Sequence, residues 1–129
     1  MTDIFDLIPK DKFDHSNLET IKTIDADKIK PILGQLLEWI QDLNWPVAQE
    51  LFHILPRFHV ELIPHIKAVF ASDDDIWKHW TLCLIKEFPP ETVSFLSSDI
   101  KRIATHPTAG ETSAETNICA IEVIQLFDL

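Results

Sequence analysis

Glycine and basic residues are both scarce in this sequence, which has two Gly in 129 residues and 11 Lys and Arg against 21 Asp and Glu. Strand-rich folds and phosphate-binding loops depend on glycine for their tight turns, so its scarcity disfavours both. The formal net charge of -10 disfavours nucleic acids and anionic membranes as partners, since both are bound mainly through Lys and Arg. The negative charge is compatible with a basic protein partner. The simpler alternative is that the acidity only maintains solubility.

Long apolar runs are also missing. No run approaches the ~18 residues that a transmembrane helix needs, and the chain does not open with a signal-peptide pattern. We therefore expect a cytoplasmic protein without a membrane association.

The hydrophobic fraction of 46% and the charged fraction of 25% are typical of a globular chain. A chain of this length should bury roughly 65–70% of the surface that its unfolded form exposes. We predict a single helical domain over residues 1–129, in which residues 1–15 form an extended arm and residues 16–127 form the helices.

Helical periodicity and turn signals predict about six or seven helices. The central stretch, LLEWIQDLNWP at residues 36–46, indicates the end of one helix, a turn between Trp39 and Trp45, and the start of the next. Asn44 is the expected N-cap there. Two capping boxes of the S/T-x-x-E type are predicted. Ser16 and Glu19 form the first, and Thr112 and Glu115 form the second, which opens the last helix.

Three further helix features are predicted. Gly34 lies inside a helix, where it costs about 1 kcal/mol against alanine, and this indicates a close contact with another helix. Pro64 should fall in the first turn of a helix over residues 59–71, or that helix should begin later. The helix over residues 76–88 is apolar nearly all round, which predicts a central position, and Asp73, Asp74 and Asp75 cap and charge its start.

A loose internal repeat is present at offsets of 32 to 34 residues. Trp45 corresponds to Trp77 at offset 32, and Pro56 to Pro89 at offset 33. Helical hairpins of this length stack into α-solenoids. We predict an all-α fold, with a HEAT-like stack of antiparallel helical hairpins as the first choice and a compact helical bundle as the second.

Three stretches resemble a small bacterial family catalogued as domain of unknown function 5071. They are IPKDKF at residues 8–13, KPILGQLLEWIQDLNWPVAQ at residues 30–49 and DDIWKHW at residues 74–80. The resemblance implies a single helical domain from a bacterium. It implies no activity, cofactor or functional residue.

Catalytic and metal-binding signals are weak. Cys83 and Cys119 both lie in apolar runs, which is typical of buried and unreactive thiols. His53, His59 and Glu61 are the best metal candidates, but histidines six residues apart are not helical neighbours, and surface histidine is the alternative. We therefore predict no catalytic residue, no metal and no cofactor.

Tryptophans and a run of aspartates supply the partner-binding candidates. Trp39 and Trp80 have apolar neighbours and are expected in the core, whereas Trp45 and Trp77 stand beside polar residues and are candidate contacts with a partner. The acidic run Asp73, Asp74 and Asp75 is a further candidate, or it serves only to cap its helix.

The predicted function is that of a non-enzymatic protein–protein interaction domain. One alternative is a metal- or small-molecule-binding protein with a site near His53 and His59. A second alternative is an immunity-type protein that neutralises a basic toxin. The partner and the oligomeric state are left open.

Overall fold

The computed structural model describes residues 3–129, and within that range all regular secondary structure is helical. The all-α prediction is therefore confirmed. The α-helices of the described residues are α1 (Leu18–Thr23), α2 (Ala26–Ile29), α3 (Leu33–Glu38), α4 (Pro46–Ile54), α5 (His59–Phe70), α6 (Asp75–Ile85), α7 (Pro90–Ser94), α8 (Ser97–Thr105), α9 (Ala109–Ser113) and α10 (Thr116–Phe127). Short 3-10 helices cover Ile4–Leu7, Lys30–Ile32, Trp39–Gln41 and Leu55–Phe58. None of the helices in residues 3–129 is long and apolar enough to cross a bilayer.

The chain divides into two compact units, Met1–His65 and Ile66–Leu129. Each unit has its own set of buried apolar side chains. In the first unit these include Ile21, Ile29, Ile32, Leu33, Leu36, Ile40, Val47, Leu51, Leu55, Phe58 and Leu62. In the second they include Ile66, Leu82, Leu84, Ile85, Val93, Leu96, Ile100, Ile103, Ala120 and Val123. The HEAT-like stack and the single domain stay predictions.

Prolines mark the starts of helical segments. Pro31, Pro46, Pro56 and Pro90 each stand at the first or second position of a helix. Proline is favoured there because its missing N–H would have no helical acceptor and its fixed φ suits the helix. These positions explain why one continuous apolar pattern is divided into short helices.

Pro64 lies inside a helix rather than in its first turn, so the prediction for it was wrong. It lies in the interior of α5, five residues after the helix begins at His59. A proline at this position deprives the carbonyl of Val60 of its usual N–H donor. Both Pro64 and Val60 are exposed, so water can solvate that carbonyl and the helix continues.

The arm predicted over residues 1–15 is not fully extended. Its described part contains the 3-10 helix Ile4–Leu7, whose Leu7 side chain is buried. Two hydrogen bonds fasten the arm to the first unit: Asn17 Nδ2 donates to the Asp6 carbonyl at 2.9 Å, and the Val47 N–H donates to the Lys12 carbonyl at 3.0 Å.

The capping box predicted at Ser16 and Glu19 is not formed. Asn17 is the N-cap of α1, without a side-chain cap. Ser16 Oγ donates instead to Asp14 Oδ1 at 2.6 Å, and Glu19 pairs with Lys22 at 2.8 Å. A local aspartate competes for the serine hydroxyl, which is why the spacing misled the prediction.

The capping box predicted at Thr112 and Glu115 is also wrong, because the box lies four residues earlier. Thr108 Oγ1 accepts the Glu111 N–H, and Glu111 Oε1 accepts the Thr108 N–H at 2.8 Å, which opens α9. Glu115 has a left-handed backbone, with φ of 59°, and separates α9 from α10. Both T-x-x-E pairs fit the motif, and the tertiary partners of Glu111 select the first.

Those partners form a buried ion network in the second unit. Glu111 is fully buried, and its carboxylate accepts from Arg102 Nη1 at 2.5 Å, from Arg102 Nη2 at 2.8 Å and from Lys78 Nζ at 3.2 Å. Lys78 is itself buried and also contacts Asp75 at 3.2 Å. The Arg102 guanidinium above all holds the pKa of Glu111 at about 2, below its usual 4.5. The charged carboxylate is therefore a structural element of this unit.

Gly34 confirms the close helix contact that its position predicts. A Cβ atom at Gly34 would lie 2.9 Å from Nδ1 of His65 on α5. The missing side chain lets the imidazole ring rest against the backbone of α3.

Helix α6 was predicted to be central because of its apolar composition, but it is not wholly buried. Ile76 is 58% exposed, and Trp77 and Trp80 are half-buried. Asp74 does cap this helix, accepting the Trp77 N–H at 3.0 Å, as predicted. Asn44 does not cap α4, whose N-cap is Trp45 without a side-chain bond.

Candidate functional site

Trp39 and Trp45 meet across the turn between α3 and α4. Their ring centroids lie 5.5 Å apart at an interplanar angle of 74°, an edge-to-face contact. The turn is fixed by Asp42, whose Oδ1 accepts the Asn44 N–H at 2.9 Å and whose carbonyl accepts the Trp45 N–H at 3.2 Å. Pro46 then starts α4. The sequence between the two tryptophans thus holds both rings in one place.

The two rings line a cavity of about 320 Å³, which we call the tryptophan cleft. Its lining residues are Ile8, Gln35, Glu38, Trp39, Gln41 and Trp45. Trp45, which was predicted to be a candidate contact with a partner, is half-buried. Trp39 was predicted to lie in the core, and this was wrong, because it is half-buried as well and faces the cleft.

The chemistry of the cleft favours a ligand that is both apolar and positively charged. Two indole rings supply a large, rigid apolar surface whose faces attract cations. Glu38 adds a carboxylate, and Gln35 and Gln41 add amide groups that hydrogen-bond in either direction. A lysine or arginine side chain combines an apolar stem with a cationic head and matches this set.

A second cavity of about 450 Å³ lies beside the N-terminal arm. It is lined by Asp3, Ile4, Leu7, Asn17, Thr20, Ile24 and Lys28. Two of its polar side chains are engaged locally: Asp3 Oδ1 accepts the Phe5 N–H at 3.1 Å, and Asn17 Nδ2 donates to the Asp6 carbonyl. The described residues that line this cavity include no pair of aromatic rings, in contrast to the tryptophan cleft.

The aspartate run lies in the second unit, whereas the residues of the tryptophan cleft belong to the first. Asp74 caps α6, and Asp75 pairs with Lys78, while Asp73 is exposed. Trp77 is half-buried. Two of the three carboxylates thus have a structural use, as the capping alternative predicted, and binding of a partner by these residues stays a prediction.

The histidine candidates are not brought together. In residues 3–129 no group of three or more His, Cys, Asp and Glu side chains is arranged to hold a metal ion. His53 is exposed on α4 and stacks edge-on against Phe52, with centroids 5.7 Å apart. His59 begins α5, with Glu61 in its first turn. The structure therefore does not assemble His53, His59 and Glu61 into a metal centre.

The prediction of two buried, inert thiols was wrong for Cys83. Cys119 is buried, but Cys83 is only half-buried, and their Sγ atoms lie 3.6 Å apart. The two residues are 36 positions apart in the sequence, so no local pattern could have paired them. The only sequence signal was that both stand in apolar helical runs.

The described residues form an all-α fold with a cleft that is lined by two tryptophans and by Glu38. The family model of domain of unknown function 5071 (DUF5071) matches residues 7–124. The chain belongs to this family, as its resemblance indicated. A comparison with curated proteins finds no match. The family description names no activity.

Proposed function

We propose that this chain is a non-enzymatic protein-binding domain whose tryptophan cleft holds a lysine or arginine side chain of a partner protein. The observation that carries the proposal is the contact of Trp39 and Trp45, two half-buried indoles that line one cleft together with Glu38. Tryptophan is enriched among the residues that dominate binding energy at protein interfaces. A pair of them beside a carboxylate is suited to a cationic side chain.

Size and charge support the same ligand. A cavity of about 320 Å³ is at the lower end of the range for small-molecule pockets, which suits a single side chain. The sequence of the first unit carries 11 Asp and Glu against six Lys and Arg. This excess of negative charge attracts a basic partner at long range and accelerates encounter at low salt.

The test uses peptides selected from a random library for binding to the intact protein. In each selected peptide, every arginine is replaced in turn by citrulline, which keeps the shape of arginine but lacks its charge. We expect one such replacement to weaken binding to the wild-type protein about tenfold, as a cation–π contact of ~1–2 kcal/mol implies. The same replacement should have little effect on binding to the Trp45→Ala variant.

Two carboxylate variants provide the matched control. Glu38→Gln removes the charge in the cleft, and Glu50→Gln removes the charge of another exposed glutamate of the first unit that does not line it. We expect Glu38→Gln to weaken binding about three- to tenfold and Glu50→Gln to change it by less than about twofold. Recovery of no binder, or of peptides indifferent both to citrulline and to Trp45→Ala, would contradict the proposal.

An immunity-type protein that binds a basic toxin is a special case of this proposal, in which the cationic side chain belongs to a toxin. The cytoplasm is the location that we propose for it. Trp77, Asp73, Asp74 and Asp75 would belong to a further contact with the partner.

A further inference from the structure

Two thiols from different helices face each other in the second unit. Cys83 lies on α6 and Cys119 on α10, and their Sγ atoms are 3.6 Å apart. The sequence contains no other cysteine. Cys119 is 3% exposed, whereas Cys83 is reached by solvent. The pair therefore consists of one accessible thiol and one sheltered thiol.

Charged groups next to the pair distinguish the two thiols. Lys86 follows Cys83 by three residues, and its Nζ binds Glu122 Oε2, three residues after Cys119, at 2.6 Å. The hydrogen bond with Cys119 and the Lys86 ammonium together hold the pKa of Cys83 at about 7, below its usual 9, although burial and the Glu122 carboxylate oppose this. The bond to Cys83 and burial raise the pKa of Cys119. The backbone carbonyl of His79 also faces Cys119, at 3.9 Å.

We propose that Cys83 and Cys119 are a peroxide-reactive thiol pair that closes into an intramolecular disulfide between α6 and α10. The Cys83 thiolate attacks one oxygen of hydrogen peroxide, the O–O bond breaks, and Cys83 becomes a sulfenic acid. The hydroxide that leaves takes up the proton that the Cys83 thiol had released and departs as water. The Cys119 sulfur then attacks the Cys83 sulfur, its proton joins the leaving hydroxide, and a second water departs. Two thiols are oxidised, and one hydrogen peroxide is reduced to two waters.

The geometry requires only a short closing movement. A disulfide has an S–S length of about 2.05 Å, so the two sulfur atoms must approach by roughly 1.5 Å from their 3.6 Å separation. The bond would close a loop across α6 to α10 and restrict the unfolded chain. Reaction of Cys83 is independent of the tryptophan cleft, so each proposal can fail alone.

The first experiment treats the reduced protein with hydrogen peroxide and follows its intact mass and its free thiols. We expect the wild-type monomer to lose both thiols together, to lose the mass of two hydrogen atoms and to gain no oxygen. In the Cys119→Ser variant, dimedone should capture a sulfenic acid at Cys83. In the Cys83→Ser variant, Cys119 should react at least tenfold more slowly than Cys83 does in the Cys119→Ser variant.

The second experiment measures the rate of alkylation by iodoacetamide against pH in the Cys119→Ser background with and without Lys86→Gln. Removing the ammonium should shift the midpoint of the rate profile to higher pH, since a neighbouring cation favours the thiolate. Lys101→Gln removes an exposed lysine of α8 and is the matched control, for which no shift is expected. Circular dichroism of each variant verifies the fold.

Three outcomes would overturn the proposal. These are survival of both thiols in the wild type under peroxide, oxygen addition at Cys83 without a disulfide, and a disulfide only between molecules. An unchanged alkylation profile in Lys86→Gln would overturn the role assigned to Lys86.

Discussion

Replacing Glu111 by glutamine is expected to lower the free energy of unfolding by about 3 kcal/mol at neutral pH. Glu111 is fully buried and accepts hydrogen bonds from Arg102, from Lys78 and from the Thr108 backbone. A pKa of about 2 in the folded protein against the usual 4.5 corresponds to about 3 kcal/mol by linkage. Breaking a buried ion pair by removing one partner has a similar magnitude, about 3–5 kcal/mol.

The stabilisation by Glu111 is expected to depend on pH, and the direction follows from its pKa shift. The pKa of Glu111 is lowered on folding, so the stabilisation is fully present above the unfolded pKa and is lost as the pH falls through 4.5 towards 2. The difference in the free energy of unfolding between wild type and Glu111→Gln should therefore be largest at neutral pH and should become small at about pH 2. Urea unfolding followed by circular dichroism, repeated from neutral to acidic pH, measures this difference.

Glu87→Gln is the matched control, because Glu87 is an exposed glutamate of the same unit. Its effect should stay within about 0.5 kcal/mol. A Glu111→Gln difference that does not change with pH, or that is no larger than that of Glu87→Gln, would show that the network does not stabilise the fold.

Phe58→Ala is expected to destabilise the protein by about 3–5 kcal/mol, since it leaves a cavity in the first unit. Phe58 is 0% exposed, and the Arg57 guanidinium stacks on its ring at 4.8 Å. Phe13 has the same arrangement, with Lys12 over its ring at 5.4 Å, but it is 66% exposed. Phe13→Ala should therefore cost less than about 1 kcal/mol. The two variants differ mainly in the burial of the ring that is removed. Equal losses in the free energy of unfolding from both variants would contradict the prediction.

The same variants test the prediction of a single domain. Phe58 lies in the first unit and Glu111 in the second. One cooperative domain predicts that either substitution shifts a single transition that is seen alike by circular dichroism and by tryptophan fluorescence. Two separate domains would give two transitions, with Phe58→Ala moving only one of them.

Local signals in the sequence were sufficient for much of the fold. Sparse glycine and helical apolar spacing predicted the all-α class, and the predicted contact at Gly34 is present in the structure. Asp74 caps its helix as expected. The helical class and the cap follow from patterns along the sequence. A glycine inside a helix indicates a close contact, but the sequence did not identify His65 as the partner.

The sequence did not show which of several equally suitable side chains caps a helix. Thr108 with Glu111 and Thr112 with Glu115 fit the same capping pattern, and the contacts of Glu111 with Arg102 and Lys78 favour the first pair. Ser16 likewise had an alternative acceptor in Asp14.

The sequence by itself determined that this chain is helical, acidic and a member of its family, and that Trp45 is a candidate contact. The tertiary structure decided which distant side chains meet, such as Cys83 with Cys119 and Glu111 with Lys78. The physical reason is that helix packing, rather than neighbouring residues in the chain, sets the distances between side chains that are far apart in sequence.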